Sequence, residues 1–548
     1  MSHEDVECLT AIQLPPEAHS LDQSDHLTRL TRRKARRGSF IWRHPLIQLA
    51  ICAATVILLF ACIQSPTSES FRSIDAFSPL STLHDSKVTT KPPLIPYNTG
   101  LLHLLIPASK PDVNLCKSIL SSTILGYPIP VLLNWGGSSN NIAKIPGTLR
   151  YLKTLGPHND QDLVIVADGY DIWYQLPPHI LINRYHEINR RANVRIHARL
   201  GSKTMKTQGI NQRIVISSQK NCWPGDDKHV NCYSVPESPL PRYIYGPQTD
   251  TNVKNNQGEL SSQQKMRQRW LNGGFIMGPV EDMRRLFERA NERAMADEDQ
   301  EGWDQGVLTG IFADQEYQRE KLRTREKGPW KRFHRPPPAR EVFEAEEGVQ
   351  YEFGIGLDYS SELSQATKYS EHDLDWVTFS IRSTIDIAIT KHNVTSPHIT
   401  SLQPDIANAP LPFNSLALLS NTNVSNITST PWTSVPLWTN LYTGITPALV
   451  HHNAHFGHLK TLRQTQWHKM WFVPHARDLL RARLKMNGGG EQLVAVNRKR
   501  NKWFGLAGEE GFGVRTDKSG EEWMGWGEIC GGEEEGEIWR DGEGKWVD

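Results

Sequence analysis

Between Gly100 and Ala313 the chain repeats one pattern: a short apolar run, then an amphipathic helical stretch. Residues 101–107 (LLHLLIP) are almost continuously apolar, as a strand covered on both faces must be. Asp112 then stands where a helix needs an N-cap, and Val113, Cys116, Leu120 and Ile124 recur on one helical face. Further strands are predicted at 129–133, 162–167, 213–217 and 274–277. Between them, Ile145, Leu149 and Leu152 mark a helix closed by Gly156, and Met283, Leu286, Phe287 and Ala290 mark another. Strands alternating with amphipathic helices predict an α/β fold, a Rossmann-like, mostly parallel sheet with helices on both faces. Sheets of this kind bind ligands beyond the C-terminal ends of their strands.

One segment does not belong to such a domain. Residues 46–63 (LIQLAICAATVILLFACI) carry no charge, and a helix of that length spans about 27 Å, enough for a bilayer's hydrocarbon core. Its N-terminal flank holds Arg29, Arg32, Arg33, Lys34, Arg36, Arg37 and Arg43, whereas 64–69 hold no Lys or Arg. The positive-inside rule then keeps 1–45 in the cytosol and the body in the lumen of the secretory pathway. A cleaved signal peptide is the rival, and the long polar segment before the run fits it poorly. The sequons at Asn393, Asn423 and Asn426 all lie beyond this segment. Cys222 and Cys232, ten residues apart around a polar turn, read as a disulfide of an oxidising compartment. Cys116 and Cys530 are left over, and Cys116 reads as a small buried helix residue. The net charge of +1 gives no reason to expect nucleic acid.

The expected organisation is a basic cytosolic tail (1–45), a transmembrane anchor (46–63), a Ser/Thr/Pro-rich stem (64–98) and a catalytic body (99–485). Polar insertions are expected at 318–348 and 391–435, and a Gly/Glu-rich, largely disordered tail at 486–548.

Two carboxylates, Asp168 and Asp171, follow the predicted strand 162–167 with Gly169 between them. An ordinary Asp-Gly turn before a helix has the same residues. A divalent cation holding a diphosphate needs hard oxygen ligands of this kind.

The segment 164–178 (VIVADGYDIWYQLPP) resembles the metal-binding strand end, Asp-x-x-Asp, of the glycosyltransferase domain of collagen lysyl hydroxylases and related GT-A glycosyltransferases. In the same order, 213–224 (RIVISSQKNCWP) resembles that family's next strand and Cys-Trp-Pro turn, and 270–278 (WLNGGFIMG) its Leu-Asn-Ser-Gly strand. Trp303-Asp304-Gln305 resembles its acidic Asp-Gln segment, and 450–453 (VHHN) its His-x-Asn motif. The departures are Gly273 in place of Ser and Ala454 in place of Gly, with no hydroxylase domain following, so collagen-type acceptor specificity is not carried over.

Together, the apolar run 46–63 and the resemblance imply a type II Golgi or ER membrane glycosyltransferase with a GT-A body. It would use a nucleotide-sugar donor, a UDP-sugar by preference, and a glycan or protein acceptor. The resemblance implies Mn²⁺ on Asp168, Asp171 and His451, with His452 as the alternative histidine. Asn272 and Asp304 take catalytic positions, and Tyr170, Gly273, Gly274 and Trp223 donor-binding ones. All of these but Tyr170 also have a plainer reading: a strand-start turn for Asn272, Gly273 and Gly274, a helix cap for Asp304, and packing on a disulfide for Trp223. Lys110 reads as a solvated lysine more readily than a phosphate contact. A non-catalytic luminal binding protein of the same fold is the alternative function. A phosphoester hydrolase would need a denser ligand set near Asp168.

Overall fold

The computed structural model describes residues 98–546 apart from 255–262, 297–302, 327–342, 420–424, 454–461, 487–490, 497–498, 506–510 and 519–521. The expected cytosolic tail, the apolar run 46–63 and the stem up to residue 97 lie outside the described residues. Among the described residues no helix is long and apolar enough to cross a membrane.

The predicted alternation is what the chain adopts. β1 (Asn98–Pro107), β2 (Val131–Leu133), β3 (Leu163–Ala167), β5 (Ile214–Gln219) and β7 (Ile355–Asp358) run in one direction. β4 (Ile172–Tyr174) lies outside the main sheet. Along β3, Leu163, Ile165 and Ala167 enter one apolar layer while Val164 and Val166 enter the other. A strand so divided needs cover on both faces. The first layer is closed by α1 (Val113–Leu125) and α3 (Pro178–Leu200), the second by α2 (Lys144–Thr154), α4 (Val280–Ala296) and α5 (Trp303–Glu326). Ile165 is wholly buried between them, and truncating such a residue to alanine costs about 2–5 kcal/mol. Asp112 caps α1 as predicted, accepting from the Asn114 N–H, and Gly126 ends it in the left-handed region at φ 85°.

The main sheet has ten strands. β6 (Trp270–Pro279) runs against both neighbours, β3 and β5, so the strand predicted at 274–277 departs from a purely parallel pattern. This reversal brings the N-terminal end of β6 to the C-terminal end of β3. Ala167 pairs with Phe275, and the Asp168 N–H donates to the Gly274 carbonyl at 2.9 Å. A second sheet sets β11 (Leu449–His451) between β4, antiparallel, and β8 (Ser364–Ala366), parallel.

Four expectations are corrected. The tail is not largely disordered among its described residues: β12 (Glu491–Val496) pairs β13 (Lys499–Gly505), which pairs β1, and β14 (Gly513–Thr516) pairs β2 and β15 (Trp523–Gly525). Phe512, Trp526, Ile538 and Trp539 are buried in the first apolar layer. The indoles of Trp526 and Trp539 and the Trp546 N–H all donate to Glu535 Oε1 at 2.8 Å. Low apolar content suggests disorder, but a few tryptophans bury enough surface to offset the ordering entropy.

Cys116 is not a free thiol, since it forms a disulfide with Cys530 and ties this tail to α1. The expected Cys222–Cys232 bridge is present. The first insertion is shorter than expected, because α5 continues to Glu326, with Arg319 buried between Glu316 and Glu352. The second, 391–435, is not peripheral: Leu402, Ile406, Phe413, Leu416 and Trp432 belong to the main core.

Candidate metal centre

Asp168 stands one residue beyond β3, and Asp171 one residue before β4. The turn between them is tight for a steric reason. A Cβ on Gly169 would lie 2.8 Å from Ile106 Cγ2 and 2.9 Å from the Pro107 carbonyl oxygen, so only glycine lets this turn lie against the end of β1. β11 supplies His451, whose partner in register on β4 is Ile172, next to Asp171. One ligand atom from each of Asp168, Asp171 and His451 lies within 4.8 Å of the others. His451 Nε2 is 3.4 Å from Asp171 Oδ1 and 3.8 Å from Asp168 Oδ2. Two donors each about 2.1 Å from one ion fall roughly 3–4 Å apart, so these spacings fit.

The surrounding hydrogen bonds orient the ligands. Asn272 gives its amide N–H to Gln219 Oε1 at 3.0 Å, which turns its Oδ1 toward His451 Nδ1, also at 3.0 Å. With Nδ1 engaged, Nε2 is the nitrogen aimed at the carboxylates, the arrangement usual for a metal-binding imidazole. Among the described residues Asp171 Oδ1 is buried and, apart from the loose 3.4 Å approach of His451 Nε2, has no hydrogen-bond donor. A buried carboxylate oxygen without a donor is costly, and a cation at this point would satisfy it. The donor set therefore fits a divalent ion. Gly274 provides room for the imidazole, because a Cβ there would stand 2.1 Å from His451 Cε1.

His452, one residue past β11, is excluded as a ligand because its ring turns away from the carboxylates. Its ring is buried against Trp173 and Trp438, at centroid distances of 4.2 and 5.1 Å, and burial lowers its pKa to about 3.

A cation already belongs to the site. Lys144, the first residue of α2, is buried, and its Nζ contacts Asp168 Oδ1 at 2.7 Å, Asp304 Oδ2 at 2.9 Å and the Gly273 carbonyl at 2.6 Å. Burial opposes its charge, but the two carboxylates outweigh burial and raise its pKa. Burial pushes Asp168 up to about 6, with Asp171 and Asp304 adding to the rise and Lys144 opposing it. Asp171 is raised by burial too, yet His451, with Arg463 and His452, outweighs this and leaves it below its ordinary value. Burial lowers the pKa of His451, but Asp171 and Asp168 together outweigh burial, a net rise. A bound cation would displace that proton from the imidazole.

These groups open on a cavity of about 480 Å³ lined by residues of β1, α2, β5, β6, α5 and β11 and by those just beyond the ends of β2 and β3. Asp304 enters it from the first turn of α5, tied to Lys144. The neighbouring Gln305 accepts from the Gly273 N–H at 3.2 Å and donates to the Trp223 carbonyl at 3.2 Å. Trp223 and Trp303, 38% and 49% exposed, meet edge to face beside it at 6.3 Å. Tyr170 lines the cavity, but its hydroxyl is engaged by the Ser109 and Lys110 backbone N–H groups. Lys110 itself is exposed.

The expected residues Asp168, Asp171, His451, Asn272, Gly273, Gly274, Asp304, Tyr170 and Trp223 thus converge on one cavity. Asn272 sits behind His451 as its orienting partner, and Gly274 makes room for the ring. Lys144 and Lys368 were not anticipated there, and Gln219 and Asn453, both inside segments singled out for the resemblance, had been given no role. A signal existed for Lys144: at four-residue spacing it shares a helical stripe with Thr148 and Leu152, both wholly buried. The chain matches no protein-family model and no curated protein sequence.

Proposed function

We propose that the cavity binds a nucleotide sugar, a UDP-sugar by preference, and that the protein transfers the sugar to a glycan or protein acceptor. The observation that carries this proposal is the convergence of Asp168, Asp171 and His451 on one point at the C-terminal end of β3. Asp168 Oδ2, Asp171 Oδ1 and His451 Nε2 would hold Mn²⁺ or a similar ion. Such an ion, when bound, offsets the charge that builds on a leaving diphosphate.

The chain's own groups then have distinct tasks. Lys144 occupies Asp168 Oδ1, which leaves Oδ2 directed at the ion and adds positive charge to the cavity. Asn272 holds the His451 tautomer. Asp304, fixed by Lys144, supplies a carboxylate for a hydroxyl of donor or acceptor. Trp223 and Trp303 offer aromatic surface at the opening, suited to the apolar face of a sugar ring.

In this proposal the sheet is of the GT-A kind. We further propose a type II orientation, with 46–63 anchoring the chain in a Golgi or ER membrane and the body in the lumen. Two disulfides and the exposed sequon residues Asn393 and Asn426 support a luminal body.

The test is incubation of the protein with a panel of UDP- and GDP-sugars, with and without Mn²⁺. Metal-dependent donor hydrolysis or transfer that disappears in Asp171→Ala is the expected result. Intact donors under every condition, with no nucleotide binding, would refute an enzymatic role and leave a binding protein.

A further inference from the structure

The segment carrying β14 does more than extend the sheet. It enters beside β2, with Arg515 and Thr516 in register with Val131 and Leu132, and the Asp517 N–H donates to the Leu132 carbonyl at 2.9 Å. This sets the Asp517 side chain, only 8% exposed, at the C-terminal end of β2, where the cavity wall begins.

Asn134 is the residue it meets. Its φ of 60° lies in the left-handed region, which asparagine tolerates better than most residues but still at a cost. Asp517 Oδ2 accepts the Asn134 backbone N–H at 2.9 Å and takes Arg150 Nη2 at 2.8 Å. The same Arg150 atom reaches Asn134 Oδ1 at 3.2 Å. Asn134 Nδ2 then donates to the Ala143 carbonyl at 2.7 Å, the residue before Lys144. Two backbone bonds finish the turn: Gly137 N–H to the Asn134 carbonyl, and Gly136 N–H to the Ser109 carbonyl. Gly147 leaves room for this arrangement, since a Cβ there would lie 2.7 Å from Asn134 Oδ1.

The turn starts the loop 134–141. Asn134, Ser138, Ser139, Asn140 and Asn141 from it line the cavity, across the ends of β1 and β2 from the carboxylates. A wall of short amides and hydroxyls matches the hydrogen-bonding groups of a nucleoside better than it matches chemistry at a reacting carbon.

We propose that Asp517 is a positioning residue for the nucleotide donor: through Asn134 it holds the loop 134–141 in its binding shape, so the segment 511–518 that carries β14 is part of the donor pocket. The choice of ligand rests on the donor proposed above, whereas the ordering of the loop does not. The Cys116–Cys530 disulfide fastens the chain beyond this segment to α1.

The experiment uses the full chain carrying Asp517→Ala, Asp517→Asn or Arg150→Ala. It reads hydrogen–deuterium exchange across 134–141, donor KM and kcat with Mn²⁺, and the Kd of UDP with Mn²⁺. Asp517→Ala removes the charged acceptor of a strained residue, so donor KM and UDP Kd should rise roughly tenfold, the scale of one charge-assisted hydrogen bond. kcat at saturating donor should stay within about twofold, a split that general destabilisation does not produce. Exchange should quicken in 134–141 and stay unchanged in β3. Asp517→Asn keeps an acceptor oxygen, so it should fall between wild type and alanine; it also serves if the alanine variant fails to fold. Arg150→Ala leaves the Asn134 N–H bonded and should have the smallest effect.

Unchanged exchange in 134–141 overturns the proposal, as does a fall in kcat at constant KM. If the wild-type protein binds no nucleoside diphosphate while Asp517→Ala still quickens exchange in the loop, the donor is wrong and the positioning role of Asp517 stands.

Discussion

Replacing Gly274 by alanine adds one methyl group, and the surroundings determine where its cost falls. The new Cβ would sit 2.1 Å from His451 Cε1, 2.6 Å from Nδ1 and 2.7 Å from Nε2. Carbon atoms pack at about 3.5–4.0 Å, so the ring would have to retreat by roughly 1.5 Å. It has little space for this: the side chain is 3% exposed, bonded to Asn272, and carried on β11 between two strands. A retreat of that size is a large fraction of the 3.4 and 3.8 Å that separate Nε2 from the two carboxylates. The imidazole would leave the ligand cluster although no ligand has been mutated. Disturbing a partner that orients a ligand costs about 10–100-fold in metal affinity, and displacing the ligand itself should cost at least about 100-fold. Overpacking adds about 1–3 kcal/mol of destabilisation.

Gly273→Ala is the matched control. Its Cβ would meet Gln305 Cα and Cβ at 3.3 Å, a contact relieved by shifts of a few tenths of an ångström. Mn²⁺ affinity, measured by calorimetric titration on protein shown to be folded by circular dichroism, should stay within about threefold of wild type in Gly273→Ala and collapse in Gly274→Ala. A folded Gly274→Ala variant that binds Mn²⁺ as wild type does would refute the assignment of His451 to the ion.

Burial alone would raise Asp375, but bonds from His392 at 2.9 Å, Lys391 at 2.8 Å and the Trp376 N–H bring it down to about 2, below its ordinary 3.8. A depressed carboxyl stabilises the fold above its unfolded pKa and loses this as pH falls through the folded value, so Asp375→Asn should cost about 1–2 kcal/mol at pH 7, with Lys391 discounted as exposed. In urea unfolding the gap to wild type should close between pH 4 and pH 2, and a gap independent of pH contradicts the ion-pair account. Cys116→Ser with Cys530→Ser opens a closure spanning 414 residues, which should cost roughly 2–4 kcal/mol and lower the calorimetric Tm by a few degrees; equal Tm values would show that the buried tryptophans suffice. Trp303→Ala removes half of an exposed aromatic pair and should raise acceptor KM several-fold while leaving Mn²⁺ affinity unchanged, and a change in Mn²⁺ affinity would move Trp303 away from the acceptor side.

The parts of this structure that were legible beforehand are those encoded locally. Val164, Ile165 and Val166 announce a strand buried on both faces, and Met283, Leu286, Phe287 and Ala290 a helix with one buried stripe, because periodicity reports burial directly. The Asp168–Asp171 pair was visible because the strand before it was. What depended on distant partners was not. Lys144 is buried only because Asp168 and Asp304 meet it in space, and a lysine at the start of a helix otherwise reads as solvated. His451 and His452 are indistinguishable as neighbours; the end of β11 separates them, with His451 facing the carboxylates and His452, just past the strand, packed on tryptophan. The antiparallel course of β6 leaves no mark on composition, since its residues are buried whichever way it runs. The tail misled for the opposite reason, because its Gly and Glu content hides a small set of well-spaced tryptophans gathered on Glu535.

The pairing of β1 with β13 and of β2 with β14 also sets a timetable for the ribosome. At roughly 5–20 residues per second, the 414 residues between Cys116 and Cys530 take about 20–80 s to make. Throughout that interval β1 and β2 wait with hydrogen-bonding edges open, the condition in which strands recruit the wrong neighbour. The nascent chain must therefore be shielded until its last strands emerge, and substitutions in 499–516 should lower the yield of folded protein in cells well before they alter the protein that does fold.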